Sequence, residues 1–292
     1  MSAIVRCGLG TIGLVLLSAT VVGAQSPGLS SQAPAAQKPP PGSQSGKPDA
    51  RELANQVNNP AAPVTLVQFR NLLFPSVEGT DGVTNAFEIQ PVLPIGPFAS
   101  FRYLQLIKIT LPFPSLPSPV SAAGVGDLQV FDLFVFKSSW GQWGLGPALV
   151  FPTASDDPLG AGKWQAGPAV ALMYTRIKNL TAGAVLQNPM SFAGNSDRPG
   201  VNALIITPTL TYNLEDGWFA GLSDYDWEFD WKHGGDATFP LGVQVGRVFH
   251  VGHQAFAASI EAGGAVAKSS TLPSPGWIIG FEFAPIFKGH FK

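Results

Sequence analysis

Asp224-Tyr225-Asp226-Trp227-Glu228-Phe229-Asp230-Trp231 alternates four carboxylates with four aromatic rings. Side chains on a β-strand point to opposite faces in turn. Read as a strand, the stretch puts Asp224, Asp226, Glu228 and Asp230 on one face. Tyr225, Trp227, Phe229 and Trp231 fall on the other. A helix would scatter both sets around its surface. A soluble sheet can tolerate so divided a strand. A transmembrane barrel strand, with lumen on one side and lipid on the other, requires it.

The composition agrees with that reading. The 292 residues are 45% hydrophobic and only 12% charged, little charge for a soluble protein of this size. The formal net charge of -2 leaves no basic footprint for nucleic acid. Arg6, the apolar stretch Leu9 to Val22 and the small residues Val22-Gly23-Ala24 make residues 1–24 a cleaved secretory signal. The single cysteine, Cys7, leaves with it, so no disulfide is expected. No later apolar run is long enough for a transmembrane helix. A membrane-embedded mature chain must therefore be a closed barrel.

Residues 25–48 are rich in Pro, Ser, Gln, Ala and Gly and read as a disordered tether. A short helix and lead-in are expected at 49–63. Asp49 would cap the helix, with Glu52 three residues on. Ala50, Leu53, Ala54 and Val57 share one face, and Asn58-Asn59-Pro60 stops it. Resting on the barrel rim is the plainer role for this helix; plugging the barrel is the alternative.

From residue 64 to 292 the chain reads as the barrel domain. Twelve strand-like runs are expected: 64–72, 84–95, 99–111, 125–137, 142–152, 163–176, 180–190, 200–213, 217–231, 237–249, 254–267 and 276–287. The connections between them alternate, mostly long then short. Outer-membrane barrels show this pattern, with an even strand count, short periplasmic turns and longer outer loops. A soluble sandwich has no reason for it. In the last run Trp277, Ile279, Phe281, Phe283 and Phe287 share a face, opposite Gly280, Glu282 and Ala284. Pro91, Pro147, Pro168, Pro208, Pro240 and Pro285 fall inside runs, where bulges or strand ends are expected. Trp143-Gly144-Leu145-Gly146-Pro147-Ala148 resembles Trp164-Gln165-Ala166-Gly167-Pro168-Ala169, by chance or through similar packing at one girdle.

Several phrases carry a family resemblance. They are Phe87-Glu88-Ile89-Gln90-Pro91-Val92-Leu93-Pro94-Ile95, Gly124-Val125-Gly126-Asp127-Leu128-Gln129, and Phe151-Pro152-Thr153-Ala154-Ser155-Asp156-Asp157 leading to Gly162-Lys163-Trp164. Further on come Ser191-Phe192-Ala193-Gly194-Asn195-Ser196-Asp197-Arg198, Tyr212-Asn213-Leu214-Glu215-Asp216-Gly217-Trp218, and Pro240-Leu241-Gly242 with Gly246-Arg247-Val248-Phe249. Across roughly 52–287 the chain resembles bacterial outer-membrane proteins grouped with the MetA pathway of phenol degradation. These are often labelled "transporter" or mislabelled neuromedin U. The resemblance implies an outer-membrane barrel that passes small, often aromatic or apolar compounds. It brings no catalytic residues. The C-terminal strand also resembles the signal read by the barrel-assembly machinery, although the chain runs on through Lys288-Gly289-His290-Phe291-Lys292.

For catalysis the sequence offers little. None of His233, His250, His253 and His290 sits in a metal-binding motif, and no GxSxG elbow is present. His233, near Asp230 and Asp236, is the one candidate, and a solvated loop histidine is its plainer reading. Asp156-Asp157 matches no calcium loop. No metal or cofactor is expected.

The acidic stripe carries the functional expectation. Carboxylates two residues apart on one strand face lie about 6.8 Å apart, so other strands must supply counter-charges. Arg102, Lys108, Lys137 and Arg176 are the available strand bases. Asp224, Asp226, Glu228, Asp230 and Glu282 are the expected lumen-lining acids, with Arg102 as counter-charge. Such a wall would set a field favouring polar or cationic solutes. The alternative is a self-neutralised network that fills the lumen. The expected architecture is thus all-β, a transmembrane antiparallel barrel of about twelve strands with a short N-terminal helix. Its partners would be outer-membrane lipid, the assembly machinery and a small-molecule solute. A closed structural or adhesive barrel and a secreted soluble β-sheet binding protein are the competing readings.

Overall fold

The computed structural model describes residues 50–77, 80–98, 102–267, 269 and 274–287. The expected signal at 1–24, the expected tether at 25–48, the expected cap at Asp49 and the tail at 288–292 lie outside the described residues. One helix, α1 (Ala50–Val57), precedes a closed barrel of twelve antiparallel strands. These are β1 (Thr65–Val77), β2 (Thr84–Ile95), β3 (Leu104–Leu116), β4 (Leu128–Ser138), β5 (Gly141–Phe151) and β6 (Lys163–Tyr174). There follow β7 (Leu180–Gln187, continued by Met190–Gly194), β8 (Ala203–Asn213), β9 (Trp218–Leu222, continued by Trp227–Asp230), β10 (Asp236–Val251), β11 (Gln254–Ala267) and β12 (Pro275–Phe287). Each strand pairs with the next, and β12 pairs back onto β1, with Arg70 opposite Glu282. A two-residue ladder at Ala122–Ala123 folds onto β3. Connections at 139–140, 175–179, 214–217 and 252–253 lie at one end, and longer ones at 117–127, 152–162 and 195–202 at the other.

The expected alternation is met. On β12, Trp277, Ile279, Phe281 and Phe287 are exposed, while Ile278, Ala284 and Ile286 are buried inside. On β6, Trp164, Leu172 and Tyr174 face out and Gln165, Ala169, Ala171 and Met173 face in. Trp164 and Tyr174 are ten residues apart on one strand, roughly 26 Å along the axis at a tilt of about 40°. That matches the height of a lipid-facing apolar band. Trp143, Tyr212 and Trp218 continue the lower ring at the short-turn end; Trp231 and Trp277 continue the upper one. The two look-alike runs pair directly, with Pro147 opposite Pro168. Because the strands are antiparallel, their tryptophans occupy opposite girdles rather than one.

The prolines do not sit at bulges or strand ends as expected. Of the six named, only Pro240 coincides with a register shift. In an antiparallel ladder each residue directs its N–H to one neighbour only. Pro147 and Pro168 face each other at a pair in which neither lacks a bond to the other, and their missing donors fall on the far sides. Pro112 and Pro114 extend β3 well past the expected end at 111. Their carbonyls accept from Gly126 N (2.8 Å) and Gly124 N (3.2 Å). Their missing donors therefore face that loop, and the ladder to β2 stays intact.

The opening stretch corrects the sequence reading most. It is not one strand: β9 stops at Leu222 and resumes at Trp227. Below the break Phe219 pairs with Asn213 and Gly246; above it Glu228 pairs with Ile205 and Thr238. The two halves differ by one residue against both neighbours, and one extra residue exchanges the faces of a strand. Odd-numbered residues point inward below the break and even-numbered ones above it. Tyr225, expected on the lipid side, lies in the stretch between the two halves and is buried inside with Leu72, Ala86 and Ile278. Gly242 and Gly263 make room for it: a Cβ on either would collide with the Tyr225 ring. Trp227 and Phe229 keep the outward side and contact Phe239. Trp231 lies beyond the strand in a short 3-10 turn.

Helix α1 enters the short-turn mouth of the barrel rather than resting on its rim. Leu53 and Ala54 are buried against Phe219, Val248, Ala257 and Ile286, all inward-facing wall residues. Asn58 Nδ2 donates to Asn213 Oδ1 (2.8 Å), Asn213 Nδ2 to Asn55 Oδ1 (2.9 Å), and Asn59 Nδ2 to Gln142 Oε1 (2.7 Å). Arg51 pairs with Glu215 at 3.1 Å. Side chains of β8 to β12 and of the turn at 214–217 thus hold one helix of eight residues.

Candidate functional site

The barrel encloses a cavity of about 470 Å³ that runs from the lead-in residues Val57 to Val64 up to the long-loop end. Asp224, Asp226, Glu228, Asp230 and Glu282 all line it. The strand break therefore leaves the acidic stripe facing the lumen while turning Tyr225 in with it. Arg102 does not join them. It is exposed in the connection between β2 and β3, as are Lys137 near the end of β4 and Arg176 in the turn after β6. Of the bases weighed from sequence, only Lys108 faces the lumen, near Glu88, Asp224, Asp226 and Glu282.

The counter-charge is Arg70, on β1. Its Nε and Nη2 donate to Glu261 Oε1 (2.9 Å) and Oε2 (3.1 Å), and Nη2 lies 3.2 Å from Asp224 Oδ1. The guanidinium also lies over the Tyr225 ring, 5.7 Å from its centroid. Such a bidentate pair is both directional and strong. Gly280 has no side chain because Glu261 occupies that space. The other acids are held locally. Gln68 Nε2 donates to Glu282 Oε1 (3.0 Å), Gln90 Nε2 to Glu88 Oε2 (2.5 Å) and Thr207 Oγ1 to Asp226 Oδ1 (2.5 Å). Seven inward carboxylates (Glu88, Asp224, Asp226, Glu228, Asp230, Glu261, Glu282) thus face two cations, Arg70 and Lys108, so acidic groups outnumber basic ones along this wall.

Arg70, Glu261 and Glu88 were not singled out from the sequence. A signal existed for Arg70: in Leu66-Val67-Gln68-Phe69-Arg70 the polar residues alternate with apolar ones. Nothing local says that Glu261, 191 positions away, is its partner.

At the long-loop end, Asp127 anchors the loop at 152–162. It accepts from Ala161 N (2.6 Å) and Ala154 N (3.2 Å), and Arg198 donates to Gly160 O and Asp157 O beside it. Burial pushes the Asp127 carboxyl above the usual carboxylate range, although those backbone donors and Arg198 oppose the rise. His233 Nδ1 lies 2.7 Å from Asp230 Oδ2 on the rim. Among the described residues no serine, threonine or cysteine hydrogen-bonds to it, and no three His, Cys, Asp or Glu side chains converge as metal ligands.

No protein-family model and no curated protein matches the chain. Solved structures do. An outer membrane channel from Pseudomonas putida F1 superposes with a TM-score of 0.54 at 14% identity, covering 77% of this chain and 94% of that one. Outer membrane phospholipase A from Escherichia coli gives a TM-score of 0.42 at 10% identity, covering 78% of this chain and 97% of that one. At that identity the channel shares the barrel fold with this chain.

Proposed function

We propose that this chain is an outer-membrane channel that passes small solutes by passive or facilitated diffusion, without chemistry. The observation that carries the proposal is the charged cavity enclosed by the barrel wall, continuous from the helix at one mouth to the loops at the other. A barrel built only as a scaffold gains nothing from a central row of acids, Glu228 and Glu261 buried among them, that outnumber their cations. Burying unpaired charge costs stability, so the row is better explained by use. The apolar wall formed by Leu72, Ala86, Tyr225 and Ile278 suits the small aromatic or apolar compounds implied by the resemblance to the MetA-pathway phenol-degradation group. The short-turn end, with α1 in it, would face the periplasm.

A non-catalytic role is part of the proposal, since His233 has an acid but no nucleophile beside it. The seated helix favours one second reading, a barrel closed at rest. Single-channel conductance in a planar bilayer separates the two. The comparison is wild type, Leu53→Asp to unseat α1, and the Asp224/Asp226/Glu228/Asp230→Asn variant. Steady current that rises in the first variant and loses cation preference in the second supports the channel. No current from any of the three, with insertion confirmed, leaves a structural barrel.

A further inference from the structure

Three acids at and above the break in β9 line the lumen, and the middle one lacks a donor. Asp226 below it accepts from Thr207 Oγ1 at 2.5 Å. Asp230 above it accepts from Lys232 N at 2.8 Å and is bound by His233. Glu228, between them, is 5% exposed, and its Oε1 has no hydrogen-bond partner. Neither neighbour across the sheet bonds to it. On one side stands Ile205, which has nothing to donate. On the other stands Thr238, 5% exposed, whose own hydroxyl is also without a partner. The charged groups nearest Glu228 are Asp226 and Asp230, both acids. Arg70 is already committed to Glu261 and Asp224.

Buried polar groups are nearly always satisfied, and each exception needs a reason. Here two unsatisfied groups, a carboxylate oxygen and a hydroxyl, stand side by side on adjacent strands and line the same cavity. A metal ion does not fit, because no three acidic or imidazole side chains converge among the described residues. The acids are spread along a strand at about 6.8 Å intervals. A group that carries both positive charge and N–H donors does fit. An ammonium can donate to Glu228 Oε1 and Thr238 Oγ1 together, with Asp226 and Asp230 adding attraction from either side. Pro240, the next lining residue below Thr238, and the buried wall at Tyr225 and Ile278 offer apolar surface to the rest of such a molecule.

We propose that Glu228 and Thr238 form a subsite for the protonated amine of a small organic cation with an apolar or aromatic body. The inference rests on reading the lumen as a solute path, but its test does not need transport. Binding of benzylammonium to the detergent-purified protein is measured by calorimetry, with the neutral isostere benzyl alcohol and the anion benzoate as controls. Benzylammonium should bind at least tenfold more tightly than benzyl alcohol, and benzoate should not bind. Glu228→Gln, which keeps the shape and removes the charge, should lose tenfold or more. Thr238→Val, which removes only the hydroxyl, should lose a few-fold. Both variants should migrate as folded barrels on unheated gels, and Glu228→Gln should unfold no more easily than wild type. Equal affinity for the amine and the alcohol, no binding of the amine to wild type, or full affinity in Glu228→Gln would each overturn the assignment. A protein that conducts yet shows any of those results keeps its channel role and loses this subsite. One that binds the amine but never conducts keeps the subsite and loses the channel.

Discussion

Replacing Arg70 by methionine removes the cation that closes the ring of strands at its most charged level. Arg70 and Glu261 side chains are 10% and 5% exposed, and Asp224 is 38% exposed. Without the guanidinium, water can reach Asp224 but not Glu261, whose two oxygens lose both donors. Taking one partner from a buried ion pair costs about 3–5 kcal/mol. The loss should lie near the lower end, about 3 kcal/mol, because only one of the two acids is left both charged and dry. Glu261→Met should cost less, about 1–2 kcal/mol, since Asp224 still holds Arg70. The double variant replaces a buried pair by apolar groups of similar length and should fall within about 1 kcal/mol of wild type. The coupling between the two sites is then about 3–5 kcal/mol. Urea unfolding of protein inserted in lipid vesicles, followed by tryptophan fluorescence, measures all four species. An Arg70→Met cost under about 1 kcal/mol, or a double variant no more stable than Arg70→Met, would refute the reasoning that this pair is the anchor of the lumen.

The remaining predictions concern the outer wall, the strand break and the loops. Phe281→Arg, mid-strand on the outward face, should cost about 2–4 kcal/mol in a bilayer, whereas Trp277→Arg near the strand end should cost no more than about 1; equal small costs in the same vesicle assay would mean that this face does not meet lipid. Gly242→Ala places a methyl against the Tyr225 ring, its nearest contact, and should destabilise by about 1–3 kcal/mol, and Tyr225→Leu in the same chain should recover part of it. A loss unchanged by the second substitution would rule out the ring as the obstacle. Asp127 titrates above its ordinary value when folded, so ionising it weakens the loop it holds. Amide protection at Ala154 and Ala161 should therefore be greatest below the ordinary carboxylate range, decline as pH rises through it to the raised value, and then level off. In Asp127→Asn, which keeps one acceptor, hydrogen exchange should show no such decline.

Most of the architecture is legible in the sequence because period-two alternation is a local property. Lipid outside and cavity inside impose it strand by strand, so β2 and β11 begin and end where the runs 84–95 and 254–267 do. The failures have equally local causes. Proline looks like a terminator in a sequence, but whether it ends a strand depends on which neighbour its missing N–H would have faced. Pro112 and Pro114 face a loop, and β3 runs on past 111. Tyr225 belongs by alternation to the lipid side, but a one-residue shift against both neighbouring strands carries it inside.

The candidate site divides the same way. The alternation in Asp224–Asp230 was enough to set those acids on one face, and all of them line the cavity. The choice of counter-charge was not available from the chain. Arg102 and Arg70 read alike as strand arginines, yet one ends in a connection and the other 2.9 Å from Glu261. Nor could the sequence say that Glu228 would stand between Ile205 and Thr238 with no donor. Which face a side chain takes follows from its nearest neighbours along the strand, and the sequence records those. Which partner it meets follows from strand order, register and one inserted residue, and those exist only once the sheet has closed.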